Sequence, residues 1–228
     1  MNTDSGIGPA SEYLGQDAGA IGLDHDRVAV FGHSYASRLA RAEQGSNSYE
    51  TPGGVWRNYQ FSYFGVPGAK VRDLKTSSQW GKLVLFRPRT IFLLIGGNDI
   101  KPGCSPRKLA IEIKNLALEL EDASGAECRI VGLECRTRVR GFDAEEFHRI
   151  RNAVNCILRK LPESKHRFVF ITYLPCDLDN DGVHLRVSAN QELYNKLAGL
   201  LQKLYTREAR VIRFKIPSSC QDPIIIPH

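Results

Sequence analysis

Thr90-Ile-Phe-Leu-Leu-Ile-Gly-Gly-Asn-Asp99 is the stretch that decides the fold. Thr90 to Ile95 is an unbroken apolar run with no polar alternation, the pattern of a strand covered on both faces, as parallel strands are. Gly96 and Gly97 close it, and Asn98 and Asp99 stand at its C-terminal end. The same order recurs on either side. Upstream, Arg27-Val-Ala-Val-Phe-Gly32 is a short apolar run ending in glycine, followed by Ser34 to Ala42, where Ala36, Leu39 and Ala40 share a helical face. Tyr59 to Phe64 alternates as a strand and runs into the turn cluster Gly65-Val-Pro-Gly68; Val71 to Leu85 reads as an irregular helical stretch.

Downstream, Leu109, Ile113, Leu116 and Leu120 recur at helical spacing within Pro106 to Glu121, and Arg129 to Leu133 reads as a fourth strand. Ala144 to Leu161 predicts a helix with Phe147, Ile150, Val154 and Leu158 on one stripe. Arg167 to Tyr173 predicts a fifth strand. Val187 to Thr206 predicts a last helix with Leu193, Leu197, Leu200 and Leu204 inward, and Val211-Ile-Arg-Phe214 an edge strand. Strands alternating with helices imply βαβ units and one parallel sheet covered by helices on both faces. Sites in such sheets lie at the C-terminal ends of the strands.

The 228 residues suit one domain, and 42% hydrophobic with 25% charged residues is ordinary globular composition. No stretch reaches the ~20 apolar residues that span a bilayer. Residues 1–26 carry five carboxylates and no Lys or Arg, with no basic or apolar segment of a secretory signal. They are expected to form a flexible acidic leader; 27–216 are expected to form the folded domain, and 217–228 an irregular tail. The net charge of +6 is therefore the sum of −5 before Arg27 and +11 in the remaining chain, and a body this basic favours anionic partners or is simply a solvated basic surface. Six cysteines are spread singly with no CxxC pair, which suits reduced thiols and an intracellular, cytoplasmic setting.

Four short blocks follow the strands. In Gly32-His-Ser-Tyr35, Ser34 starts a helix, where a hydroxyl sits beside amide donors at the positive end of the dipole; an N-cap serine reads the same way. Gly65-Val-Pro-Gly-Ala69 is a turn whose glycines permit close backbone approach. In Gly96-Gly-Asn-Asp99, Asn98 either donates to a developing oxyanion or satisfies a turn. In Asp181-Gly-Val-His184, the carboxylate is spaced to orient an imidazole whose other nitrogen faces a serine, and a helix cap with a surface histidine is the alternative. Asp177, Asp179, Asp181 and Gly182 also match half of a calcium loop, but Ser188 stands where the bidentate glutamate belongs. No metal site is expected.

Read together in chain order, GHSY, GVPGA, GGND and DGVH resemble the four blocks of SGNH (GDSL-type) hydrolases over about Arg27 to Thr206. The resemblance implies a flavodoxin-like three-layer α/β/α sandwich around a central parallel sheet of about five strands. It implies a serine esterase with Ser34 as nucleophile, His184 as general base and then acid, and Asp181 orienting it. The backbone N–H groups of Ser34 and Gly68 and the side chain of Asn98 would form the oxyanion hole. No metal or organic cofactor is implied, and the family's substrates are small-molecule, lipid and sugar esters. The layout also resembles the esterase-like domains of some retrotransposon open reading frames. One residue departs from the pattern: the family usually has a structural Asp before its serine, and here stands His33.

Arg136, Arg138 and Arg140 follow the fourth strand and read either as an anion-binding rim of the site or as a solvated loop. His33 and the basic body supply a second reading of a different class, a catalytically weak SGNH scaffold that binds nucleic acid or a protein. The complete Ser, Gly, Asn and His set argues against it.

Overall fold

The computed structural model describes residues 26–44, 59–139, 141–162, 167–171 and 175–215. Its apolar runs form one parallel sheet of β1 (Asp26–Gly32), β2 (Tyr59–Gly65), β3 (Thr90–Leu94), β4 (Glu127–Val131) and β5 (Phe168–Val169). The strand order is β2-β1-β3-β4-β5. Every residue of β3 is buried, as its unbroken apolar run requires.

Because strand side chains alternate between faces, the sheet feeds two apolar layers. On one face Phe31, Ile91 and Leu93 meet α3 (Ser78–Phe86), α4 (Pro106–Ser124) and α5 (Ala144–Lys160). There Ile113 and Leu120 of α4, and Phe147, Val154 and Leu158 of α5, are fully buried. Each such side chain contributes about 1.5–3 kcal/mol by leaving water. On the other face Val28, Val30, Phe92 and Leu94 meet α1 (Ser34–Gln44) and α6 (Val187–Lys215) through Ala36, Leu39, Leu193, Leu197 and Leu201. The short α2 (Val71–Leu74) follows the loop after β2. The result is the three-layer α/β/α sandwich of the sequence reading. Trp80 packs edge-on against Phe31 and belongs to this core.

The strand order places a topological switch point between β1 and β3: the chain leaves β1 toward β2 and then returns to build the other side. Crevices of such sheets open beyond the carboxyl ends of the strands at that point. Gly32 makes the junction close. A Cβ there would stand 1.9 Å from the Leu94 carbonyl oxygen, and the next amide, of His33, donates to that oxygen at 3.1 Å.

Two expected elements differ. Among the described residues the fifth strand is Phe168–Val169, paired with β4 over Ile130 and Val131; Thr172 and Tyr173 of the expected strand lie outside the described residues. The edge strand expected at Val211 to Phe214 is helix, since α6 runs on to Lys215. No Gly or Pro interrupts the chain between Gly199 and Pro217, so nothing stops the helix before the residues that precede the proline. The expected leader, apart from Asp26, and the expected tail lie outside the described residues.

Candidate active site

Ser34 opens α1 directly beyond β1. Its Oγ stands 2.9 Å from His184 Nε2, and His184 Nδ1 stands 2.6 Å from Asp181 Oδ2. An ionised carboxylate only accepts, so Nδ1 carries the imidazole hydrogen and the Nε2 lone pair faces the hydroxyl. Asp181 Oδ1 accepts the amides of Val183 and His184, both at 2.9 Å, which fixes the turn that presents the ring. Burial by itself raises the Asp181 carboxyl, but these amides and His184 outweigh it and hold the group well below the ordinary carboxylate range. Arg38, one turn along α1 from Ser34, lies 3.5 Å from Asp181 Oδ2.

Long-range bonds bring that turn to the serine. The Thr137 and Arg138 amides both donate to the Gly182 carbonyl, at 2.7 and 3.2 Å. Gly182 has φ +66, and a Cβ there would meet Thr137 Oγ1 at 2.6 Å. The hydroxyl of buried Tyr35 donates to the Val183 carbonyl. Leu178 bridges Leu185, which is buried and precedes α6.

The loops after β2 and β3 meet each other. Asn98 Nδ2 donates to the Ala69 carbonyl at 3.0 Å, one residue beyond Gly68, whose φ of +77 suits glycine. Asp99 accepts the Val71 amide on both oxygens, at 3.3 and 3.2 Å, tying the same two loops again. Burial pushes the Asp99 carboxyl up to about 6 against the lowering effect of that amide. A cavity of about 420 Å³ adjoins these loops, lined by Lys70, Asp99, Lys101, Ser105, Lys108 and Glu112 among others.

Beneath the serine lies a layer that the sequence reading did not anticipate. His33 is fully buried with Nε2 3.5 Å from Glu134 Oε1, and Glu134 is buried as well. Burial opposes ionisation of Glu134, yet the neighbouring His33 and Arg136 hold its carboxyl below the usual range. Arg136 is no part of a rim. It is buried, with Nη2 2.9 Å from Asn98 Oδ1 and its guanidinium over the Phe147 ring. The anionic Glu134 and the carbonyl oxygen of Asn98 offer it better partners than water does. Arg138 is exposed and contributes its backbone to the Gly182 clamp, and Arg140 lies outside the described residues. The one sequence signal for this layer was His33 itself, since a histidine where the pattern has an acid calls for an acid elsewhere.

A parallel α/β/α sandwich with a serine, a histidine and an aspartate hydrogen-bonded in series at its switch point has the architecture of a serine hydrolase. The sequence profile of the GDSL-like lipase/acylhydrolase family matches residues 28–191, from β1 into α6. The chain belongs to this family, and it is an ester hydrolase of the SGNH type. Solved structures share the fold. An acylhydrolase assigned in Bacteroides fragilis superposes with TM-score 0.56 at 14% identity over 80% of this chain and 88% of its own. A GDSL-like lipase from Bacteroides thetaiotaomicron gives 0.54 at 15% over 80% and 89%. The acetyl xylan esterase AlAXEase gives 0.54 at 14% over 76% and 98%. No curated protein sequence is a significant match. Among the described residues no helix is long and apolar enough to cross a membrane.

Proposed function

We propose that the chain cleaves a carboxylic ester through an acyl-enzyme on Ser34. The observation that carries this reading is the continuous series Ser34 Oγ, His184, Asp181, with spacings of 2.9 and 2.6 Å. Ser34 Oγ attacks the ester carbonyl while His184 Nε2 takes its proton. The tetrahedral oxyanion is held by the Ser34 and Gly68 amides and by the Asn98 hydrogen not engaged by Ala69. His184 then protonates the departing alcohol, and a water that it deprotonates releases the acid and restores Ser34. Asp181 keeps the ring in the required tautomer and stabilises the imidazolium.

An acetyl xylan esterase among the structures that share the fold supports a small acyl group. The cavity of about 420 Å³ is lined by none of Ser34, Gly68, Asn98 or His184 and carries no part of this reading. A fluorophosphonate probe should label the wild-type chain and not Ser34→Ala, and p-nitrophenyl acetate should be turned over faster than long-chain p-nitrophenyl esters. Absence of Ser34-dependent labelling together with salt-sensitive nucleic-acid binding would overturn the reading in favour of a binding scaffold.

A further inference from the structure

We propose that Arg136 is a positioning residue for the oxyanion hole, acting through Asn98 and held in place by Glu134 and His33. Its kinetic consequence rests on the ester-hydrolase reading; its structural consequence does not.

A side-chain amide is nearly symmetric in shape, so only its partners decide which end faces a substrate. Arg136 can only donate and the Ala69 carbonyl can only accept. With Arg136 Nη2 at 2.9 Å and Ala69 O at 3.0 Å, both partners demand one orientation of Asn98: oxygen toward Arg136, nitrogen toward Ala69. The amide nitrogen has two hydrogens. One is taken by Ala69, and the other is left for the oxyanion. Turning the amide over would set donor against donor and acceptor against acceptor.

Arg136 is itself fixed from beneath. The Tyr35 amide donates to His33 Nδ1 at 3.4 Å, so neutral His33 carries its hydrogen on Nε2, facing Glu134. Glu134 Oε2 faces the guanidinium across Gly97 without hydrogen-bonding it, so its hold on Arg136 is the through-space attraction of a buried carboxylate. Gly97 leaves the space this arrangement needs. A Cβ there would stand 2.7 Å from Arg136 Nη2 and 3.2 Å from Glu134 Oε2. A buried row of groups thus runs from the amide beside the nucleophile to the proposed side-chain donor of the hole. Within that row, an imidazole before the serine is consistent with its surroundings, because an aspartate at 33 would face Glu134 as a second buried carboxylate.

Two variants test this without relying on one fold. Gly97→Ala keeps every charge and crowds the guanidinium off Asn98. Arg136→Met combined with Glu134→Gln removes both charges together, so neither is left buried without its partner. The first readout is the Asn98 side-chain amide pair in ¹⁵N-labelled protein, assigned by its loss in Asn98→Ala. It should be a protected, slowly exchanging signal in the wild type and lose that protection in both variants. The second is p-nitrophenyl acetate kinetics, where kcat should fall by about 10²-fold with KM nearly unchanged, the signature of a lost oxyanion donor. In an Asn98→Ala background the same variants should lower kcat little further, because Arg136 acts through that side chain. An unchanged Asn98 amide signal, or an equal loss of kcat with and without Asn98, would overturn the proposal. If the wild type shows no Ser34-dependent turnover, the hydrolase reading fails, and the amide signal still decides the positioning role.

Discussion

Ser34 stands between two supports of opposite construction. On one side the Asp181–His184 arm lies near solvent, with the side chains 41% and 20% exposed, and hangs from backbone bonds to Gly182 and Val183. On the other, His33 and Glu134 are at most 3% exposed, and Arg136 is buried beside them. Charges on the first arm are screened by water and salt, so a conservative change there alters chemistry more than stability. Charges in the second are unscreened and depend on one another, so a change to one member is felt by the whole fold. On the proposed reading the site divides its tasks: an exposed arm handles the proton, and a buried layer fixes the donors.

The sharpest break of this contrast lies on the exposed arm. Ser34→Ala should lower ester turnover by about 10⁶-fold, the scale seen when a triad nucleophile is removed, with an unchanged unfolding midpoint. Asp181→Asn should lower it by about 10⁴-fold, because an amide facing Nδ1 favours the wrong tautomer. Its oxygen can still accept the Val183 and His184 amides, so unfolding in urea should shift little. Equal losses of stability and rate in Asp181→Asn would erase the distinction between the two arms.

His33→Asp, which restores the usual family residue, should do the opposite. It replaces a buried donor with a second carboxylate beside Glu134, and an uncompensated buried charge costs about 3–5 kcal/mol. Urea unfolding at neutral pH should report that loss, and Glu134→Gln in the same chain should recover part of it. A fully stable His33→Asp would show that the buried layer is not the interdependent unit described here.

Gly182→Ala tests the clamp on the exposed arm. The backbone is left-handed there, at φ +66, and the added methyl meets Thr137 and Arg138. A loss of about 1–3 kcal/mol is expected from backbone strain of this kind, and turnover should fall with it as the turn carrying His184 shifts. An unaffected kcat would mean that the ring is placed by Asp181 and Tyr35 without the Gly182 contacts.

The exposed arm and the buried layer were not equally legible in the sequence. The Asp181–His184 spacing carries its geometry locally, since one carboxylate reaches both the amides and the ring of its own turn. The strand runs around Val28 to Phe31 and Thr90 to Ile95 carry the sheet for the same reason: burial on both faces leaves an apolar signature. Glu134 and Arg136 left none, because beyond Val131 the chain leaves the strand and no period says which side chain turns inward. Arg136 beside Arg138 looks like surface, and the acid at 134, the amide at 98 and the Phe147 ring draw it in. Val211 and Ile212 misled through their β-branched side chains, where an uninterrupted helix prevailed.

The smallest expected effect concerns Asp99, which ties the Asn98 loop to α2 from a position between the two regimes, half-buried and open to the cavity. Its native pKa of about 6 lies above the ordinary value of 3.8. Between those limits the native state holds a proton that the unfolded chain has released, so this group's contribution to stability falls as pH rises from about 4 to 6 and stays at its lower value above. The buried Glu134 acts with the opposite sign. Its lowered native value means that stability is lost as pH falls through the acidic range, below the window that Asp99 governs. The two effects separate on the pH axis. Asp99→Asn keeps an oxygen for the Val71 amide and removes the titration, so its unfolding midpoint, compared with wild type at pH 4, 5, 6 and 7, should gain steadily over that span and then level off. A difference that does not change between pH 4 and 7 would place the Asp99 proton outside this window, and would make the tie between the two donor loops insensitive to mild acid.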